Sequence, residues 1–220
     1  GGRGRSRGGR VGGGGGGLVV AVGVGGGAGP HFRGQVGGGG RPVTEARITV
    51  TWERHRPRDT PPAVTVGEAT GTDRKAIELI CDRVWGETDS DCFGRTFDVL
   101  AGDNLMADVD GDLAGLISLA IDRGEQAIVM LSVYPEFQGA GVGSALLRET
   151  IARTAGAGLP FVKVATTNDD IPALYFYQRL GFVIYEVDCG TVVDHHGAVL
   201  SGFAGIPIRD EIRLRRSACL

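Results

Sequence analysis

From Ala63 onward, apolar residues fall into short runs with two distinct periods. "AVTVGEAT" (63–70) alternates and predicts a strand. In "TDRKAIELICDRVWG" (72–86), Ala76, Ile77, Ile80, Cys81, Val84 and Trp85 recur at helical spacing. Thr72 or Asp73 is placed to cap that helix and Gly86 to end it. "NLMADVDGDLAGLISLAID" (104–122) predicts two strands around the tight turn "DVDGD". "EQAIVMLSVYP" (125–135) is apolar nearly throughout, as a central strand buried on both faces should be. A helix is expected over 143–158, with apolar positions 145, 146, 147, 151, 152 and 155 on one face. A strand over 160–167, a short helix over 171–180 with Pro172 in its first turn, and strands over 181–188 and 206–216 complete the series. The order β-α-β-β-β-α-β-α-β-β predicts an α/β fold, a mixed sheet with helices on its faces.

The first 62 residues lack this patterning. Of the 39 glycines, 21 fall within residues 1–40. Residues 1–42 read as a Gly/Arg-rich disordered extension, too poor in apolar surface to offset the entropy of ordering it. An RGG-like arm that touches RNA is the alternative, but the arginine spacing is irregular and no aromatic interleaves it. Residues 43–62 form a transition segment in which "RITVTWE" (47–53) alternates like a strand. The apolar stretch "LVVAVGV" (18–24) is short and interrupted by Gly23, so no targeting role is expected. No apolar run approaches the roughly 18 residues of a membrane span.

Charge sharpens the contrast. The chain carries −3 overall, yet the six arginines before Glu45 face no acid. The remainder is therefore near −9 (−3 less +6), which argues against a nucleic-acid groove and is compatible with a cationic small substrate. Cys81, Cys92, Cys189 and Cys219 lack CxxC spacing and read as reduced thiols of a cytoplasmic protein. His195 and His196 have no third ligand at suitable spacing, so an exposed loop pair is expected rather than a metal site. Asp108, Asp110 and Asp112 read as a solvated turn, because the twelfth-position glutamate of a calcium loop is absent.

The stretch with chemical content is "VMLSVYPEFQGAGVGSALL" (129–147). A buried strand ends in Val-Tyr-Pro, a glycine loop follows, and a helix starts at or near Gly143. The first amides of a helix have no intrahelical partner and can bind phosphate. Glycines let a phosphate approach the backbone. The dinucleotide fingerprint needs a third, correctly spaced glycine and a following acid, and the P-loop needs GKS or GKT; neither occurs here.

Gln138-Gly139-Ala140-Gly141-Val142-Gly143 resembles the acetyl-CoA-binding signature, Arg/Gln-x-x-Gly-x-Gly/Ala, of the GCN5-related N-acetyltransferases (GNAT). "TTNDDIPALYFYQRLGF" (166–182) resembles that family's second signature, and "GIPIRDEIRL" resembles the last strand of one bacterial branch. The resemblance covers about residues 63–216. It implies a GNAT-like fold, with a mixed, mostly antiparallel central sheet and helices on both faces. It also implies transfer of the acetyl group of acetyl-CoA to a primary amine by direct attack, with no metal.

By that resemblance, the pantetheine arm lies along the fourth strand, with main-chain contacts from Leu131 and Val133. The pyrophosphate lies on the amides of Gln138, Gly139, Ala140, Gly141, Val142, Gly143 and Ser144. Tyr177 is the expected general acid, and Tyr175 is expected in the core or the pocket wall. Asn168 binds the donor's amide or shapes the strand end, a role compatible with capping the next helix. The glutamate many relatives carry on the fourth strand is missing or displaced; Glu125 and bulk solvent through ordered water both stand in for it. The acceptor is a small-molecule or protein amine, a homodimer is left open, and neither nucleic acid nor membrane is expected. A non-catalytic acyl-CoA-binding sensor on the same fold is the alternative.

Overall fold

The computed structural model describes residues 63–84, 86–192 and 200–219. The expected extension (1–42), the transition segment with its strand over 47–53, Trp85 and the His195–His196 pair lie outside the described residues. The elements run in the order β1 (Val64–Glu68), α1 (Arg74–Val84), β2 (Asp89–Cys92), β3 (Arg95–Asp98), β4 (Asp103–Val109), β5 (Asp112–Asp122), β6 (Glu125–Val133), α2 (Val142–Gly156), β7 (Phe161–Thr167), α3 (Ile171–Arg179), β8 (Val183–Asp188) and β9 (Glu211–Ser217).

Seven strands form one sheet in the order β1-β4-β5-β6-β7-β9-β8. All neighbours are antiparallel except β6 and β7. The expected mixed, mostly antiparallel sheet is therefore present. β5 and β6 lie near its middle, and their long apolar runs are buried on both faces.

One face packs under α2 and α3. Leu131, Val133, Val164 and Leu214 meet Leu146, Leu147 and Tyr177 there. On the other face, Ile77, Ile80 and Cys81 of α1 cover Leu116 and Met130. Beside α1, Cys92 and Phe93 cover Ala127, Val129 and Ala165.

The hairpin β2–β3 was not expected from sequence. Its two-residue turn is Phe93-Gly94, with φ of 56° and 70°. Hairpins favour turns with positive φ at both central residues, and Asn or Asp usually takes the first position. Phe93 conceals that signal, and its buried ring explains its presence. The Asp110-Gly111 turn between β4 and β5 follows the usual preference.

Helix α1 begins later than Thr72 or Asp73 would place it. A short 3-10 turn (Gly71–Asp73) precedes it, and the Asp73 carboxylate accepts the Thr70 amide at 2.7 Å. Gly86 ends the helix as expected, its amide donating to the Cys81 carbonyl at 3.0 Å. The last strand starts at Glu211, not 206: Pro207, Arg209 and Asp210 bond to Asn168 at the end of β7, and Ile206 and Ile208 bond back to residues 200–203.

Candidate active site

β6 and β7 pair only over Gln126–Ile128 and Val162–Val164, and then part. The parting coincides with a β-bulge. Ser118 faces Met130 and Leu119 faces Ile128, which leaves Val129 without an opposite number on β5. Bulges bend a strand and end its pairing. The Val129 carbonyl is taken instead by the Ser90 hydroxyl, which donates to it at 2.6 Å.

Beyond the bulge, the backbone direction is fixed. The Tyr134 amide donates to the Ala114 carbonyl of β5, at 2.9 Å. Alternation along the strand therefore turns the amides of Leu131 and Val133 the other way, into the split. The Val133 carbonyl faces that side too, where it accepts the Gln138 side-chain amide at 3.3 Å. The side chains of Leu131 and Val133 are buried in the core.

After β6 the chain makes a 3-10 turn (Pro135–Phe137) and enters the glycine loop. Gly139 and Gly141 both have positive φ, 81° and 88°, which side chains other than glycine rarely adopt. Gly141 is the N-cap of α2 and provides no side-chain cap; the helix starts at Val142, one residue before the expected Gly143. The Gln138 amide is used by the Pro135 carbonyl and the Ala140 amide by the Phe137 carbonyl. The amides of Gly139, Gly141, Val142, Gly143 and Ser144 have no hydrogen-bond partner among the described residues. Five donors at the positive end of a 15-residue helix form a strong anion-attracting array.

Two further glycines let α2 sit close to the sheet. A Cβ at Gly143 would touch Phe176 at 3.4 Å. A Cβ at Gly115 of β5 would lie 2.8 Å from the Ser132 carbonyl oxygen and 2.9 Å from the Val142 side chain.

Tyr177 of α3 is fully buried in the apolar cluster that contains Leu131, Val133 and Val142. Its ring packs on Phe176 and Phe182. Its hydroxyl has no hydrogen-bond partner within the described residues. Burial, with a smaller contribution from Asp170, pushes its pKa well above the ordinary phenol value. The hydroxyl therefore holds its proton. An unpaired buried hydroxyl costs about 1–3 kcal/mol. Tyr175 is not in the core: it is exposed, and its hydroxyl accepts Arg179 at 3.0 Å.

Of the two roles expected for Asn168, its side chain takes the one at the strand end. Its side-chain oxygen accepts the amides of Arg209 (2.8 Å) and Asp210 (2.9 Å), and its nitrogen donates to the Pro207 carbonyl (2.9 Å). It ties the end of β7 to the segment before β9. Asp170 caps α3 in its place, accepting the Ala173 amide at 3.0 Å. Asp169 is buried and accepts Thr167 and the Phe203 amide.

Glu125 is not brought to the site. It opens β6, eight residues before Val133, about 27 Å along an extended strand. There it joins the buried Lys163, whose ammonium lies 2.7 Å from Asp122 and 3.4 Å from Glu125. Burial opposes ionisation of Asp122, but hydrogen bonds from Lys163 and Arg95 outweigh it and lower its pKa. The place of Glu125 beside Lys163, at the far end of β6 from Val133, takes it out of the base role expected of it.

Near the open end of the split, Glu186, Asp188 and Glu211 surround the Arg213 guanidinium at 2.6–3.0 Å. Sequence reasoning did not single them out, because they come from two strands whose pairing brings them together.

Residues 75–182 match the family described as "Acetyltransferase (GNAT) family". Mycothiol acetyltransferase of Clavibacter michiganensis is 37% identical over 84 residues, 38% of this chain and 28% of that protein. The chain thus aligns with under a third of that curated relative's length. Among solved structures, the IAA acetyltransferase of Bacillus cereus has a TM-score of 0.56 at 24% identity, covering 70% of this chain and 99% of that one. A GNAT family acetyltransferase of Elizabethkingia anophelis, solved with acetyl-CoA bound, has a TM-score of 0.53 at 19% identity, covering 70% and 97%. Residues 75–182 of this chain are thus a GNAT-family acetyltransferase domain.

Proposed function

We propose that this chain transfers the acetyl group of acetyl-CoA to a primary amine by direct attack. The observation that carries the reading is the conjunction of five unpartnered amides at Gly139–Ser144 with an open strand edge at Leu131 and Val133. The two lie end to end: one suits a pyrophosphate, the other an extended amide-bearing arm.

The donor supplies a thioester carbonyl and a thiol leaving group. The Leu131 amide holds the arm in register along β6. The Val133 amide polarises the reacting carbonyl; removing such a donor typically costs about 3 kcal/mol of barrier lowering. The Gly139–Ser144 amides anchor the diphosphate. The Tyr177 hydroxyl delivers its proton to the departing sulfur and regains one by way of ordered water from the attacking amine. No carboxylate of β6 takes the amine's proton, so it leaves through ordered water. The acidic surroundings of Arg213 favour a cationic acceptor at the open end of the split.

Thermal melting of the full chain with acetyl-CoA, alongside Gly141→Glu, tests this reading. Donor at about 100 times its dissociation constant stabilises the parent by about 2.7 kcal/mol, a rise of several degrees. The variant places a side chain and a negative charge among the free amides and loses that rise. A parent that does not respond overturns the reading. Turnover with a panel of amines separates the enzyme from an acyl-CoA-binding sensor.

A further inference from the structure

The hairpin β2–β3 touches both arms of the split at once. On the β6 side, Ser90 holds the bulge carbonyl of Val129 at 2.6 Å. On the other side, the Phe93 amide donates to Glu211 of β9 at 3.2 Å, and the Lys163 ammonium of β7 lies 4.9 Å from the centre of the Phe93 ring. Between them, Cys92 and Phe93 pack on Ala127 and Val129 of β6 and on Ala165 of β7. Arg95 closes the arrangement on Asp122 at 2.6 Å.

This matters because a split between parallel neighbours is not a natural resting place. β6 beyond Ile128 and β7 beyond Val164 are adjacent strands whose facing edges do not pair. Closing would give their backbone groups partners, as strand edges ordinarily seek. The bulge resists closure, but it leaves Val129 without a partner residue on β5. A buried carbonyl left without a bond is itself a reason for the strand to shift. Ser90 is buried and removes that reason.

We propose that the hairpin is a brace that sets the width of the split, and that Ser90 is its positioning residue. Its hydroxyl fixes the bulge, and through it the Leu131 and Val133 amides that receive the donor. The proposal rests on the donor-binding reading above.

The test is Ser90→Ala in the full chain, with acetyl-CoA titrated by calorimetry and the Leu131 and Val133 amides followed by ¹⁵N NMR. The donor dissociation constant rises about tenfold, and both amide resonances move even without donor. Ser90→Thr, which keeps the hydroxyl, returns affinity to within about threefold of the parent. Thr96→Val breaks only the hairpin's internal bond to Asp91, 2.5 Å in the parent, and leaves affinity unchanged. The brace is overturned if Ser90→Ala lowers the melting temperature while affinity stays within twofold and the two resonances stay put. If Ser90→Ala does not fold, Ser90→Cys, a weaker donor of similar size, carries the same comparison with a smaller shift. A parent protein that gives no heat with acetyl-CoA sinks the donor reading instead, and the amide resonances still decide the brace.

Discussion

The chain twice leaves a parallel strand and enters a helix, and it finishes the two junctions in opposite ways. After β6 the helix starts on a bare glycine, with five amides unpartnered among the described residues. After β7 the helix starts on Asp170, whose carboxylate caps it, with a proline in the first turn. Asn168 and Asp169 just before it spend their side chains on the segment leading to β9. Capping a helix is worth about 1 kcal/mol, so leaving α2 bare has a cost. Of the two junctions, the one after β6 keeps its donors free, in line with the diphosphate role proposed for it.

Substitutions can break that contrast. The largest effect is expected at Tyr177, which lies in the helix of the closed junction but is assigned to the chemistry. Tyr177→Phe lowers kcat about 100-fold, the usual scale for a general acid. It also removes an unpaired hydroxyl, so thermal stability stays level or rises by about 1 kcal/mol. An unchanged kcat in a stable variant would remove Tyr177 from the mechanism.

The same contrast explains what could be read in advance. The glycine spacing of 139–143 was legible because those residues answer to the backbone: positive φ at Gly139 and Gly141, close packing at Gly143. β5 and β6 were legible from their long apolar runs. Asn168 was placed correctly at the strand end, but its partners at 207–210 lie some 40 residues away and carry no local signal. Glu125 looked like a base because sequence shows which strand a residue is on more readily than its distance from the reaction. The hairpin β2–β3 was hidden because Phe93 occupies a turn position that Asn or Asp usually marks. Ser90 was hidden with it.

Asn168→Ala gives the next largest effect, and it is on stability rather than chemistry. Loss of three side-chain hydrogen bonds destabilises the fold by about 2 kcal/mol in urea unfolding. Donor affinity measured by calorimetry stays within about twofold. A large loss of affinity would mean that the β7 junction serves the donor after all. Asp170→Ala is the smallest, about 1 kcal/mol from the lost cap, again with donor affinity unchanged.

The absent side chain at Gly115 ties the loop to a residue far from its own motif. Helix α2 can press its first residue onto the sheet only because position 115 is empty beyond the backbone. Any lineage that filled that position would first have to retract the helix, and the glycine loop would be carried outward with it. Tolerance at residue 142 is therefore conditional on residue 115: a smaller side chain than valine is merely a cavity in one background and a prerequisite in the other. The geometry of the loop is thus inherited jointly by two positions 27 residues apart, and neither can change freely without the other.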